Sequence, residues 1–247
     1  MTLPRIARGS VTACAAVALA ATALGCGVIS RVKQAADNIT TVGELAKKLG
    51  NSDKLTFTAE YKLSDGSIAT VVQQPPDAAY LGKDGRFIVT ADSLYLCGTT
   101  DGKVSCQKSE NTTGQLDAGD AGLIPGVAGA GFVSAPVAVA VLTAASLAPG
   151  ATVAKTTRKI AGQDSTCVKV SGIKTDASPG TADVKDFTAC VTDGGLLASF
   201  AGTLTDGTNA SIELTRYSGS ADVAAFAPPA GAQIVDVETL QPSPSSS

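Results

Sequence analysis

Six cysteines, a Ser-x-x-Lys tetrapeptide at Ser105 and a few paired acids are the residues of this 247-residue chain whose types and spacing could do chemistry. The chain has no histidine, which removes Ser-His and Cys-His nucleophiles, imidazole metal ligation and a proton switch near neutral pH. Ser105-Cys106-Gln107-Lys108 has the spacing of a serine nucleophile with its lysine base, but in that use the serine opens a helix, and this stretch reads as a strand. Gly129–Ser134 begins like a dinucleotide loop yet lacks the preceding strand and the closing glycine. Asp117 with Asp120, and Asp183 with Asp186, are spaced as calcium ligands; on an acidic chain such loop carboxylates are ordinarily solvated. No set of residues converges on catalysis. The sequence predicts a protein that is not an enzyme and takes no cofactor and no metal.

The cysteines do structural chemistry. Asp101-Gly102 lies midway between Cys97 and Cys106, and Asp-Gly is a preferred two-residue hairpin turn. Counting outward pairs 100 with 103, 99 with 104, 98 with 105 and 97 with 106. The last pair falls on a non-hydrogen-bonded site, where opposing Cα atoms are closest. A Cys97–Cys106 disulfide is expected, and Cys167–Cys190 follows by elimination. The rival is a zinc site made of all four, for which no C-x-x-C spacing exists.

The remaining two, Cys14 and Cys26, belong to an N-terminus that reads as an export signal. Arg5 and Arg8 precede an uncharged stretch from Gly9 to Ser30, with an apolar run Val11–Leu24. Ala23-Leu24-Gly25-Cys26 resembles the bacterial lipoprotein box, in which the cysteine takes a diacylglyceryl thioether and becomes the new N-terminus. Residues 1–25 then form the signal peptide and Cys26 the lipid attachment. The alternative is an uncleaved transmembrane anchor. Both put the rest of the chain on the extracytoplasmic face of the cell membrane, where an even number of cysteines fits an oxidising compartment. Removing residues 1–25 takes away two arginines and no acid, moving the net charge from −3 to −5. That excludes the basic stripe that nucleic acid demands.

These residues must be positioned by a light framework. Hydrophobic residues make up 44% of the chain but aromatics only 4%, with no tryptophan, so the core is built of alanine, valine and leucine. Residues 27–50 recur at helical spacing through Val32, Ala35, Ile39, Val42, Ala46 and Leu49; a capping box at Thr41 and Glu44 would split them into two helices. From Lys54 the period becomes two, with Leu55, Phe57, Ala59, Tyr61 and Leu63 on one side. Further strands are expected at 67–74, 78–81, 86–90, 93–97, 104–108, 166–170, 185–191, 196–204 and 210–217. Asp-Gly recurs at 65/66, 84/85, 101/102, 193/194 and 206/207, the punctuation of an antiparallel meander. Residues 26–240 read as one domain and 241–247, rich in proline and serine, as a disordered tail.

No charged residue occurs between Ala121 and Ala154. This stretch opens with the flexible Gly122–Gly131 run and continues as a helix over 134–147, with Ser134 as cap, Pro136 in the first turn and Pro149-Gly150 as the stop. Its valines and leucines surround the whole circumference. Three readings stand: a buried core helix, a mobile lid on an apolar cavity, or a membrane-dipping segment too short to span.

The export signal ending at Cys26, a first helix, a long meander interrupted by an apolar helix, and Ile212–Tyr217 leading into Phe226-Ala-Pro-Pro-Ala-Gly-Ala232 together resemble actinobacterial lipoproteins of the LppX/LprG type. More distantly they resemble the LolA/LolB carriers. The likeness covers most of 27–237, by organisation more than by identity. It implies an α+β, mostly β fold: a curved antiparallel sheet, an open half-barrel, with helices packed on its concave face and a cavity between them that holds acyl chains. It also implies a lipid or lipoprotein carrier. Phe57, Tyr61, Val137, Val141 and Leu142 are the candidate cavity residues, with Gly122–Gly131 and the 134–147 helix as the gate. The competing expectation is an envelope interaction or sensory lipoprotein with a packed core. The partners expected are a hydrophobic ligand and, through the acyl anchor, the membrane; the oligomeric state is left open.

Overall fold

The alternation that begins near Lys54 builds a sheet. Strand β1 (Phe57–Leu63) buries Phe57, Ala59, Tyr61 and Leu63 on one face and turns Thr58, Glu60 and Lys62 to the other, the half-buried pattern that period two produces. The computed structural model describes residues 37, 40–111, 132–148, 151–173, 184–204 and 209–240. Met1–Asp37 and Asn38–Ser247 cluster as two separate units, and the fold described here belongs to the second. Several expected features lie outside the described residues: the signal segment 1–25, Cys26, most of 27–39, the Gly122–Gly131 run, Asp117, Asp120, Asp183, Pro149-Gly150 and the 241–247 tail.

After β1 come β2 (Ile68–Gln74), β3 (Asp77–Leu81), β4 (Gly85–Val89), β5 (Ser93–Thr100) and β6 (Lys103–Glu110). Each pairs antiparallel with the one before it. A second meander follows: β7 (Thr152–Ile160), β8 (Gln163–Ser171), β9 (Val184–Thr192), β10 (Leu197–Leu204) and β11 (Asn209–Ser218). β11 returns to pair with β1, and β12 (Gln233–Asp236) adds to the outer side of β6 in parallel. The result is one 12-stranded sheet in the order β12-β6-β5-β4-β3-β2-β1-β11-β10-β9-β8-β7. It is curved and open: its two ends, β12 and β7, do not meet.

Four of the five Asp-Gly pairs fall at hairpin connections, and the fifth lies outside the described residues. At Asp101-Gly102 both residues take positive φ, 51° and 73°, as a type I′ turn requires. The register is the expected one: Thr100 opposite Lys103, and Cys97 opposite Cys106. The Cys97–Cys106 and Cys167–Cys190 disulfides both form, each across neighbouring strands with Cα atoms 4.0 Å apart.

Two strands depart from the expected set. β7 is absent from that set because it does not alternate: residues 154–159 are all exposed. Its hairpin turn is Ala161-Gly162, both at positive φ, where Asp-Gly would have announced it. β12, only four residues long, is a parallel exception to an otherwise antiparallel sheet. Residues 40 and 41 are already helical, so Thr41 lies inside a helix and does not cap a second one.

Two helices pack on the concave face. Helix α1 (residues 40–49) buries Val42, Leu45 and Leu49. Helix α2 (Ala135–Leu147) buries Ala138, Val141, Leu142 and Ala145, a spacing of three and four that forms one stripe. Both join the main core with Ala59, Val71, Tyr80 and Phe87 of the sheet. Burial of each large aliphatic side chain there contributes about 1.5–3 kcal/mol. The end of α1 is fixed against the β9–β10 turn: Lys48 Nζ lies 3.0 Å from Asp193 Oδ1. Gly195, at φ 92°, meets the last turn so closely that a Cβ would stand 2.8 Å from the Lys48 carbonyl oxygen. A smaller apolar cluster of Val72, Ala79 and Ile88 occupies the opposite face, covered by Ala225 of the short 3-10 turn Val223–Phe226. Among the described residues no helix is long and apolar enough to cross a membrane.

Candidate functional site

Between the two helices and the sheet lies a cavity of about 410 Å³. Phe57, Tyr61 and Val71, from the inward-facing positions of β1 and β2, form its floor. Leu196, Leu197 and Ile212 close one side, and Phe132, Val133 and Ser134 with the first turns of α2 form the roof. The mouth is marked by Gly50 and Asp53, which are exposed, and by Ser52, beside the end of α1.

Each wall has a local cause. Gln73 is buried and donates from Nε2 to the carbonyls of Ser52 (2.6 Å) and Leu55 (2.9 Å), which pins the 3-10 turn Ser52–Lys54 as the rim. Phe132 sits edge-on to Tyr80 at 4.8 Å and to Tyr61 at 6.2 Å between ring centroids, the geometry that aromatic quadrupoles favour. The Tyr61 hydroxyl donates to the Leu197 carbonyl at 2.9 Å, which satisfies its polar end where water cannot reach. The β1–β11 register shifts between Glu60 and Tyr61, leaving Thr215 as the extra residue. Its Oγ1 donates to the Glu60 carbonyl at 3.0 Å, and the bulge falls beside the cavity floor, a common place for one.

Electrostatically the cavity is quiet. Burial holds the Tyr61 phenol far above its ordinary range. Burial, with the charges of Asp65 and Asp84, pushes Tyr80 up to about 12. Both rings are therefore neutral at physiological pH. Among the described lining residues Asp53 is the one charged group, and it stands at the mouth. The site offers shape and apolar surface, with no arrangement of acid, base and nucleophile.

Of the residues singled out from sequence, Phe57 and Tyr61 line this cavity. Val137, Val141 and Leu142 do not. Val141 and Leu142 are buried in the main core, and Val137 packs against it half-buried. The helix contributes Ala135, Pro136, Val139 and Ala140 instead, a neighbouring face. Phe132 and Ser134 line the cavity without having been expected there; the available signal was a lone aromatic interrupting a glycine- and alanine-rich run.

The other chemical candidates are dispersed. Ser105 and Lys108 are three apart on β6 and so point to opposite faces. Cys106 is in a disulfide, and Lys108 lies 4.0 Å from Asp236. The four cysteines of the rival zinc reading are consumed in the two disulfides. Asp186 accepts from the Gly172 N–H at 3.1 Å. A depression of about 520 Å³ near the β5–β6 turn and β12 is lined by Thr100, Lys103, Ser105 and Gln233 together with Val104 and Ala230, a mixed polar and apolar surface.

Fold and site together define an open, mostly antiparallel half-barrel with a helix-covered concave face and an apolar cavity beneath the helices. No protein-family model matches the chain, and no curated protein sequence does. Among solved structures, an uncharacterized conserved protein from Thermus thermophilus is similar at a TM-score of 0.45 and 8% identity, over 79% of this chain and 99% of that one.

Proposed function

We propose that the protein binds or carries a single-chain acyl lipid in the cavity between sheet and helices. We further propose that it does so without catalysis, from the extracytoplasmic face of the cell membrane, where an acyl group on Cys26 anchors it. The observation that carries this reading is the cavity: about 410 Å³, within the range of small-molecule sites, with aromatic and aliphatic walls. A methylene occupies roughly the volume of a water molecule, about 30 Å³, so a chain of about a dozen carbons fits. Burying it yields on the order of 10 kcal/mol. Association takes back at least about 4 kcal/mol of that, leaving an affinity of tens of micromolar or weaker.

The quiet electrostatics support the reading, since an apolar ligand needs no charge partner. The paired cysteines and the segment ending at Cys26 support the extracytoplasmic address, and the sequence's resemblance in organisation to LppX/LprG-type lipoproteins points the same way. Native mass spectrometry of protein purified without detergent exchange tests the proposal. The expected spectrum contains acyl-lipid adducts, which organic extraction removes and added fatty acid restores. A clean apo mass with no uptake would favour a packed interaction module instead.

A further inference from the structure

Among the described buried polar side chains of the cavity wall, Tyr61 and Gln73 are hydrogen-bonded and Ser134 is not. Ser134 is 2% exposed, belongs to the lining, and its Oγ has no hydrogen-bond partner. It stands at the N-cap of the 13-residue α2, yet its side chain makes no capping bond. Its backbone carbonyl accepts from Ala138 N–H at 2.9 Å, and Pro136 brings no N–H. The N–H groups of Ala135 and Val137 have no acceptor within the helix, as in any first turn. The aligned peptide dipoles make this end positive. An unpaired buried hydroxyl is destabilising unless something satisfies it. Ser134 lines the cavity, so a ligand held there is the available partner.

We infer that the cavity takes a free fatty acid, its carboxylate accepting from the Ser134 hydroxyl at the N-terminus of α2 and its chain lying on Phe57, Tyr61 and Val71. The inference rests on the lipid reading above and sharpens its substrate class. No lysine or arginine is among the described lining residues, and Asp53 is at the mouth. Recognition of an anionic head therefore falls to the hydroxyl and the helix end, and Asp53 disfavours a head left outside.

The test is displacement of the neutral probe Nile red from the delipidated full chain carrying Cys26→Ser, at pH 8, by laurate and by dodecanol. Laurate is expected to displace the probe about tenfold better than dodecanol. Ser134→Ala should lower laurate to the level of dodecanol and leave dodecanol unchanged, while Ser134→Thr should keep the preference. Because Oγ makes no cap bond and is unpaired without ligand, the ligand-free melting temperature of Ser134→Ala should equal or exceed the parent's; a clear fall would assign the hydroxyl to the helix and overturn the inference. Equal displacement by both probes, or a preference that survives Ser134→Ala, overturns the carboxylate assignment and leaves lipid binding standing. Failure of Nile red and both competitors to bind overturns the lipid reading itself, and the inference with it.

Discussion

The two meanders of the sheet solve the same problem differently. Each is stapled by one cross-strand disulfide near its outer end: Cys97–Cys106 between β5 and β6, and Cys167–Cys190 between β8 and β9. The β1–β6 half covers its edge by adding β12 in parallel, Gln233 opposite Ser105 through Asp236 opposite Lys108. It also carries a second apolar cluster on the outer face. Among the described residues the β7–β11 half ends at β7 with no strand beyond it, and Lys155, Arg158 and Lys159 are exposed along it. Charge on an open edge strand discourages pairing with another chain. One half is protected by structure and the other by charge, and the cavity lies where both contribute walls.

The disulfides should show this asymmetry most strongly. The chain-entropy argument gives about 3.4 kcal/mol for the longer loop, Cys167–Cys190, and about 2.6 kcal/mol for Cys97–Cys106, from sequence separations of 23 and 9. Paired alanine substitutions, followed by urea unfolding, should therefore cost more in the half that has no covering strand. Equal or reversed losses would break the comparison.

Next in size is Gly195→Ala. It combines an unfavourable positive φ with a Cβ 2.8 Å from the Lys48 carbonyl oxygen, and should cost about 2–3 kcal/mol by lifting the end of α1 from the β9–β10 turn. Gly66→Ala, also at positive φ but with open space around its Cβ, should cost less. The same unfolding assay ranks the two.

Alkaline behaviour should single out the β1–β6 half, which holds both buried phenols. Tyr80 has its folded value raised to about 12 from 10.0, so the folded state holds the proton more tightly. Its contribution is complete below pH 10 and is lost as the pH rises toward 12. Tyr80→Phe should flatten that decline in a series of urea melts; an unchanged slope would mean that other groups set it. The smallest effect on stability belongs to β7. Replacing Lys155, Arg158 and Lys159 together by threonine should leave the unfolding midpoint nearly unchanged while producing concentration-dependent association in sedimentation velocity.

Much of the sheet is legible in the sequence because its turns carry Asp-Gly and its strands bury one face. Asp101-Gly102 alone sets a hairpin, its register and the Cys97–Cys106 pairing. β7 is illegible for the reason it works: an edge strand exposed along 154–159 has no alternation to read. β12 pairs with a strand more than a hundred positions earlier, and four residues carry too little pattern to announce that. The face that α2 turns to the cavity is hidden because its apolar residues encircle the helix, so spacing distinguishes no side. Only the packing of Val141 and Leu142 into the core leaves Val139 and Ala140 to the cavity side. Ser134 could be read as a cap, but nothing in the sequence says that its hydroxyl would be left over.

The central claim is that an acyl chain occupies the space beneath α2. Palmitate carrying a mid-chain diazirine, irradiated with the delipidated protein and mapped by peptide mass spectrometry, tests it most directly. The account predicts saturable crosslinks to the peptides that hold Phe57, Tyr61, Phe132 and Leu197, competed away by unlabelled fatty acid. Crosslinks confined to exposed apolar positions such as Leu96 and Ile234, or none that saturate, would contradict it.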